Sequence, residues 1–203
     1  MNLRDTYNKI ASDWHRDHLS DEWWKDGFNT FATFLPHGGK VLDVGCAGGV
    51  KSKAFVERGF DVVGIDFASN FIEIAKKEVP GASFYVVDIR ENNYPEMKFD
   101  GIFIQAVLLH IPKNETKGIL KKLIGLLNPN GLIYVAVKEP REGQAEEEML
   151  REDDYGYKYE RFFSYYTQGE LENMFQNLGM KVTFSEIIMS GKTRWAQIIA
   201  KKK

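Results

Sequence analysis

VLDVGCAGG, residues 41–49, is the stretch on which the reading of this chain turns. Val41, Leu42 and Val44 are apolar and mostly β-branched, which suits a buried strand. The run then breaks into Gly45-Cys46-Ala47-Gly48-Gly49, where the backbone can turn tightly and a ligand can approach it. Lys51 to Arg58 follow as a short helical pattern, with Ala54, Phe55 and Val56 inward and Gly59 at its end. Strand, glycine turn and helix together aim free backbone N–H groups and a helix N-terminus at a bound ligand.

Outward from this unit the chain alternates. Val62–Ile65 is a short apolar strand ending in Asp66, and Ser69 is placed to cap a helix carrying Phe71, Ile72 and Ala75 that stops before Pro80. Phe84–Val87 is a third strand ending in Asp88, and Gly101–Gln105 a fourth. After Pro112, Asn114 is placed to cap a helix with Ile119, Leu120, Leu123, Ile124 and Leu127 on one face. Asn128-Pro129-Asn130-Gly131 reads as a turn before a fifth strand, Leu132–Val137. This period argues an α/β sheet of parallel strands covered by helices on both faces. Thr167-Gln168-Gly169-Glu170 matches a capping box, and the strands Lys181–Ile188 and Arg194–Ala200 form an antiparallel pair.

Two segments stand apart. Residues 2–35 read as helical: Leu3, Tyr7, Ile10, Ala11 and Trp14 make one stripe, and Trp23, Trp24, Phe28, Phe31 and Phe34 a second, aromatic one. Those rings either pack onto the main domain or line a pocket beneath a lid. Residues 139–154 hold eight acids and two arginines, a local net charge of −6, and read as a solvated loop or helix.

Composition bounds the function. At 203 residues, 43% apolar and 28% charged, one domain with a substantial core is expected. A net charge of −2 argues against a nucleic-acid partner, which needs a basic face. Cys46 is the sole cysteine, so an intrachain disulfide is excluded and a reducing compartment fits. No apolar run nears the roughly 20 residues that span a bilayer, so no membrane partner is expected. The N-terminus lacks a signal-peptide apolar region, which points to the cytoplasm. No His/Cys/Asp cluster has metal-ligand spacing.

In an open α/β sheet, ligands sit beyond the C-terminal ends of the strands, and here Asp66, Asp88 and Gln105 stand at such ends. Asp66 follows Gly45 at the spacing where an acid can accept both hydroxyls of a ribose, or else it caps the next turn. A nicotinamide site needs G-x-G-x-x-G, and from Gly45 the second and third positions are Ala47 and Val50. Asp43 would oppose a pyrophosphate but suits a cationic ligand end. No G-x-x-x-x-G-K-[ST] is present, so a phosphate-cradling NTPase loop is excluded.

The chain resembles the class I S-adenosylmethionine-dependent methyltransferases of the small-molecule type. The resemblance rests on VLDVGCAGG at 41–49, VVGIDFA at 62–68, VVDI at 86–89, FDGIFIQAVLLHI at 99–111 and LLNPNGLIYV at 126–135, in order and in register. One departure is Ala47, where the family pattern D-x-G-x-G-x-G has glycine; alanine keeps that geometry if its φ is negative. The resemblance implies a Rossmann-like, doubly wound, seven-stranded and mainly parallel sheet with a terminal antiparallel strand pair and an N-terminal helical lid. It divides the single domain into a lid at 1–35, a cofactor-binding core at 40–137, a substrate-side insertion at 139–166 and a closing unit at 167–203.

By the same resemblance, Asp43 faces the ammonium of S-adenosylmethionine, and Gly45, Cys46, Ala47 and Gly48 lie against its methionine and ribose portions. Asp66 holds the ribose hydroxyls with Phe67 beside the adenine. Asp88 accepts from the adenine amino group with Ile89 against the ring, Gln105 borders the methionine portion, and Tyr7 reaches in from the lid. Methyl transfer from a sulfonium is an in-line displacement whose thioether leaving group needs no proton. A general base is required only for a protonated acceptor, and His110 is the candidate. The implied acceptor is a small molecule; the alternatives are a protein or nucleic-acid acceptor, or a non-catalytic scaffold that binds the cofactor. The acidic 139–154 segment would favour a cationic acceptor if it faces the pocket, and Arg161 or Arg141 a carboxylate.

Overall fold

The computed structural model describes residues 3–91 and 93–203; the first residue of the 2–35 helical reading lies outside them. The chain begins with α1 (Leu3–His18) and α2 (Lys25–Phe34), followed by β1 (Lys40–Val44), α3 (Val50–Glu57), β2 (Asp61–Asp66), α4 (Ser69–Glu78), β3 (Ser83–Val86) and β4 (Phe99–Gln105). A 3-10 turn at Leu108–His110 leads to α5 (Lys113–Gly125) and β5 (Leu127–Lys138). The chain closes with β6 (Glu147–Glu152), β7 (Tyr159–Ser164), α6 (Gln168–Asn177), β8 (Lys181–Ser190) and β9 (Thr193–Lys201). The main sheet has the order β3-β2-β1-β4-β5-β9-β8. β1 pairs in parallel with both β2 and β4, while β9 runs antiparallel to β5 and β8. This is the expected Rossmann-like arrangement, with the strand order reversing direction between β1 and β4.

The two faces of the sheet bury separate cores. On one face Phe28 and Phe31 of α2 and Phe55 of α3 pack on Val41, Phe103, Tyr134 and Ile199. On the other, Ile119, Leu120 and Leu123 of α5 and Leu171 and Phe175 of α6 cover Leu42, Ile102, Ile104, Ile133 and Val135. The alternation of these side chains along each strand puts neighbours on opposite faces, so the near-continuous apolar runs in the sequence serve both cores at once. Phe34, counted in the aromatic stripe, is 51% exposed and belongs to neither core.

Local details differ from the sequence reading. Ser69 does not cap α4: its position is already helical, and the side chain of Asn8, from α1, accepts the Asn70 N–H at 3.0 Å instead. Pro112, not Asn114, precedes the first residue of α5, and no side chain caps it. Both changes have one cause, since a cap needs the extended residue just outside the helix and these two lie inside. The third strand ends at Val86, one residue early. The turn at Asn128–Gly131 survives as a left-handed Asn130 (φ 63°) and a register shift opposite Phe99–Gly101 within β5. The acidic 139–154 segment is a loop over 139–146, as expected, but 147–152 forms the strand β6, whose hairpin with β7 includes the registered pair Arg151–Glu160, bonded at 2.8 Å. The Thr167–Glu170 capping box is present as expected. No helix among the described residues is long and apolar enough to cross a membrane.

α2 sits close to the sheet because Gly27 lacks a side chain: a Cβ there would lie 2.4 Å from both Gln197 Oε1 and Tyr134 Oη. Gly118 of α5 has open space around it. We expect Gly118→Ala to stabilise the protein by about 0.5–1 kcal/mol through helix propensity. Gly27→Ala gains the same propensity but forces overpacking worth about 1–3 kcal/mol, so a net loss is expected. Urea unfolding of the two variants measures the difference, and equal effects would contradict this packing.

Candidate active site

Beyond the C-terminal ends of the strands, at the β1/β4 switch, lies a cavity of about 280 Å³. Ten of the twelve residues singled out in the sequence border it: Tyr7, Asp43, Gly45, Ala47 and Asp66, then Phe67, Asp88, Ile89, Gln105 and His110. Cys46 and Gly48 do not. The Cys46 thiol is buried among Ile72, Ala75, Val79 and Phe84, where burial pushes its pKa well above the usual thiol range. Gly48 lies under His15 of α1, whose Nδ1 would be 2.1 Å from a Cβ at that position.

The glycine turn is held by its own backbone. The N–H groups of Gly45 and Cys46 both donate to the Ile65 carbonyl, at 2.8 and 3.0 Å. Gly45 has φ 66°, and a Cβ there would meet Val107 Cγ2 at 2.2 Å, so only glycine fits. Ala47 has φ 46°, so the negative φ under which alanine would be innocuous is not met. Its N–H donates to Asp66 Oδ2 at 3.1 Å, a bond that holds the strained residue in place.

Three carboxylates stand at successive strand ends in different surroundings. Burial lifts the Asp43 carboxyl to about 6, against a bond from Ser52 Oγ at 2.6 Å and the nearby Lys51 charge. Burial likewise lifts Asp66 to about 6, although it accepts from the N–H groups of Ala47 and, at 2.9 Å, Ala68. Asp66 therefore caps the turn and borders the cavity together. Burial would raise Asp88 too, but Arg90 outweighs it with two side-chain bonds of 2.9 and 2.6 Å, and Arg4 of α1 adds one at 3.2 Å, leaving its pKa lowered.

α1 closes over this end. Tyr7 and His110 are joined by a 2.7 Å hydrogen bond at His110 Nε2, and His110 Nδ1 is 2.7 Å from the Phe162 carbonyl. A carbonyl only accepts, so Nδ1 carries the proton and Tyr7 donates to Nε2. Burial, with the charges of Arg161 and Lys138, pushes His110 down to about 3, so it is neutral. Arg161 donates to Tyr7 Oη at 3.4 Å and pairs with Glu152, Nε to Oε2 at 2.5 Å. Of the eight acids in 139–154 none borders the cavity, whereas Arg161 does and Arg141 does not. The acids turn elsewhere: Glu139 meets Arg194 at 2.9 Å and Glu146 meets Lys113 at 3.1 Å. The sequence reading did not single out Arg4, Lys51, Lys138, Phe163 or Trp195; their signal, a cation or ring at an element end, is too common to stand out alone. Trp14 and Trp23 do line the cavity, whereas Trp24, Phe28 and Phe31 pack the core.

A family model described as a methyltransferase domain matches residues 14–184. Among curated proteins, the chain is 31% identical over 107 residues to the ubiquinone biosynthesis O-methyltransferase of Actinobacillus pleuropneumoniae, covering 48% of this chain and 44% of that protein. It is 29% identical over 99 residues to the demethylmenaquinone methyltransferase of Renibacterium salmoninarum, covering 49% and 41%. The match thus spans under half the length of these relatives. Among solved structures, the 1,6-didemethyltoxoflavin-N1-methyltransferase of Burkholderia thailandensis, with its namesake compound and S-adenosylhomocysteine bound, superposes with a TM-score of 0.79 at 18% identity, over 99% of this chain and 87% of that one. The magnesium protoporphyrin IX methyltransferase of Synechocystis, with S-adenosylmethionine bound, gives 0.75 at 16% identity, over 99% and 95%. At these identities the likeness establishes the fold.

Two outcomes follow from the geometry. Ala47→Gly relieves a left-handed residue at a gain of about 1–2 kcal/mol, of which unfolded-state freedom takes back about 0.4–1. A small net rise in stability is expected on thermal unfolding; a loss would mean that the alanine methyl matters more than the strain. For His110, ring nitrogen shifts in NMR should stay constant from about pH 8 to 5, because its folded pKa lies far below the usual value of about 6.5. A midpoint near the usual value would refute the buried Tyr7 bond.

Proposed function

Because the chain belongs to the methyltransferase-domain family, we propose that it is an S-adenosylmethionine-dependent methyltransferase acting on a small-molecule acceptor. The observation that carries this reading is the pair of buried carboxylates, Asp43 and Asp66, flanking a tight glycine turn that borders the cavity. S-adenosylmethionine, when bound, supplies a methyl group made electrophilic by its sulfonium. The residues present fit such a ligand. Asp43 would face the ammonium, with the backbone at Gly45 and Ala47 along the methionine and ribose portions and Gln105 at their border. Asp66 would accept from the ribose hydroxyls: its carboxylate offers about four lone-pair sites, and the two backbone N–H bonds leave sites to spare. Phe67 and Ile89 would flank the adenine, and Asp88 would accept from its amino group beside the arginines.

The residues mainly align and enclose. Holding an acceptor in line is worth up to about 7–11 kcal/mol of effective molarity, and α1, pinned at Tyr7, would exclude water from the reacting end. His110 enters as a base only by way of Tyr7, since Nδ1 is committed to Phe162 and Nε2 to the tyrosine hydroxyl. A neutral imidazole so placed holds Tyr7 in position, and an acceptor that arrives ionised needs no base. On this reading residues 1–35 are the lid, 40–137 hold the cofactor, 139–166 bring Arg161 and Phe163 to the acceptor side, and 167–203 complete the sheet. A cavity bordered by α1 suits a small acceptor better than a macromolecule.

Calorimetric titration with S-adenosylhomocysteine tests the assignment. Micromolar binding is expected, with Asp66→Ala weakening it at least tenfold, about 1.4 kcal/mol. Asp43 can pair as a charge with the ammonium, and Asp66 offers its full set of acceptor sites to the ribose, only when ionised, and both titrate at about 6 in the free protein. Binding therefore releases protons, and affinity falls as the pH is lowered through about 6. No binding by the wild-type protein would overturn the reading.

A further inference from the structure

Lys138 is the last residue of β5, and its ammonium borders the cavity. It lies 4.7 Å from the centre of the Phe163 ring and 5.7 Å from that of Trp195. Those ring faces attract the charge, but they leave three N–H donors with no hydrogen-bond acceptor or carboxylate partner among the described residues. Among the other cations of the cavity wall, Arg161 is held by Glu152 and Arg90 by Asp88. Lys51 has no hydrogen bond or ion pair among the described residues either, but it sits at the opposite end, where Asp43 and Asp21 both attract its charge. Glu152, the one acid acting on Lys138, is already committed to Arg161, and Arg161 and Arg141 both push against the ammonium. Burial further disfavours its charge. A mostly buried ammonium without an anion is costly, and one that opens on a cavity can be relieved by an anionic ligand.

Register places this group relative to the rest of the site. Gln105 of β4 pairs with Ala136, and Lys138 pairs with Trp195 of β9, so Gln105, Lys138 and Trp195 share one face of the sheet. Lys138 lies two residues beyond the Gln105 row, about 7 Å further out along the strands at roughly 3.3 Å per residue. The Gln105 amide is buried and has no partner among the described residues either. Trp23, from the segment between α1 and α2, stacks on Trp195 with centroids 4.1 Å apart, which extends the flat wall toward the lid. The cavity therefore has carboxylates at the Asp43–Asp66 end and, past Gln105, an ammonium set among aromatic rings.

We propose that Lys138 is the anion-binding residue of the acceptor site, and that the acceptor is a flat aromatic acid held with its carboxylate on Lys138 and its ring against Trp195 and Phe163. This rests on the methyltransferase reading, which supplies the cofactor end of the cavity. It names the acceptor's chemical class, which the curated relatives leave open because their match covers only about half of this chain.

The test uses protein saturated with S-adenosylhomocysteine and a calorimetric panel of one- and two-ring probes: benzoate, 4-hydroxybenzoate, 3,4-dihydroxybenzoate and 1-naphthoate, each beside its neutral amide. At least one carboxylate should bind tenfold or more tightly than its amide. In Lys138→Met that preference should collapse to less than threefold while S-adenosylhomocysteine affinity stays within twofold, which also certifies folding. Lys138→Arg should restore most of the preference. If the homocysteine ligand binds but no carboxylate is preferred, or if Lys138→Met keeps the preference, the acceptor proposal falls and the methyltransferase reading stands. If the homocysteine ligand itself fails to bind, both fall.

Discussion

The carboxylate of Asp66 is the joint on which the site depends. Oδ2 takes the N–H of Ala47 in the turn after β1, and Oδ1 takes the N–H of Ala68 before α4. The turns that follow β1 and β2 are thereby tied through one side chain, next to the β1/β4 boundary where the sheet reverses its strand order. Burial makes this arrangement expensive, which is why the carboxyl holds its proton up to about 6. The alternative would be worse, since two backbone donors with little exposure would lose their acceptor. Capping the turn and facing the cavity thus fall to one group, so the two readings of Asp66 do not exclude each other.

The two N-terminal helices are attached differently. α2 is fixed by apolar burial, with Trp24, Phe28 and Phe31 nearly inaccessible. α1 buries Tyr7, Ile10 and Ala11 against Phe71 and Tyr159, but on the neighbouring positions of the same turn it is tied by polar bonds. Arg4 reaches Asp88 after β3, Tyr7 reaches His110 after β4, and Asn8 reaches the start of α4. Three strand-end regions are thus reported to a single turn of helix. Arg4 is 42% exposed, and a pair like it is worth only about 0–1 kcal/mol. Such ties can be exchanged for ligand contacts at small cost, whereas α2 cannot leave without exposing an aromatic core.

The fold was legible because its signals are local and repeated. The glycine turn, the apolar strands and the Thr167–Glu170 capping box each write their geometry into a few adjacent residues, and five such units in register leave one topology. What escaped was set by tertiary partners. Ser69 and Asn114 have the right chemistry for caps, but a side chain from α1 and the geometry of Pro112 decided those helix starts. The acidic run around 139–154 carries no strand period strong enough to be read, yet cross-strand pairing turns its end into a hairpin. In the candidate site, the strand-end acids could be read because each stands at a fixed offset from a strand. Lys138 could not, for its significance lies in what surrounds it: Phe163 and Trp195 come from residues 25 and more positions away.

The cavity also explains why a histidine so prominent in the sequence is chemically quiet. His110 sits between the lid and the β7 strand with both nitrogens engaged, and the nearby positive charges of Arg161 and Lys138 oppose its protonation. The same positive field that silences the imidazole stabilises an anion placed beside it. A site that keeps His110 neutral has little use for it as a base, but its positive charge would favour an acceptor's ionised form and so do part of a base's work before the reaction begins. Negative groups at the Asp43–Asp66 end and positive groups past Gln105 would orient a cationic donor and an anionic acceptor toward each other, through charges fixed in the cavity wall. That polarity is a property of the whole pocket, and changing one of its ends should alter recognition at that end before it alters the fold.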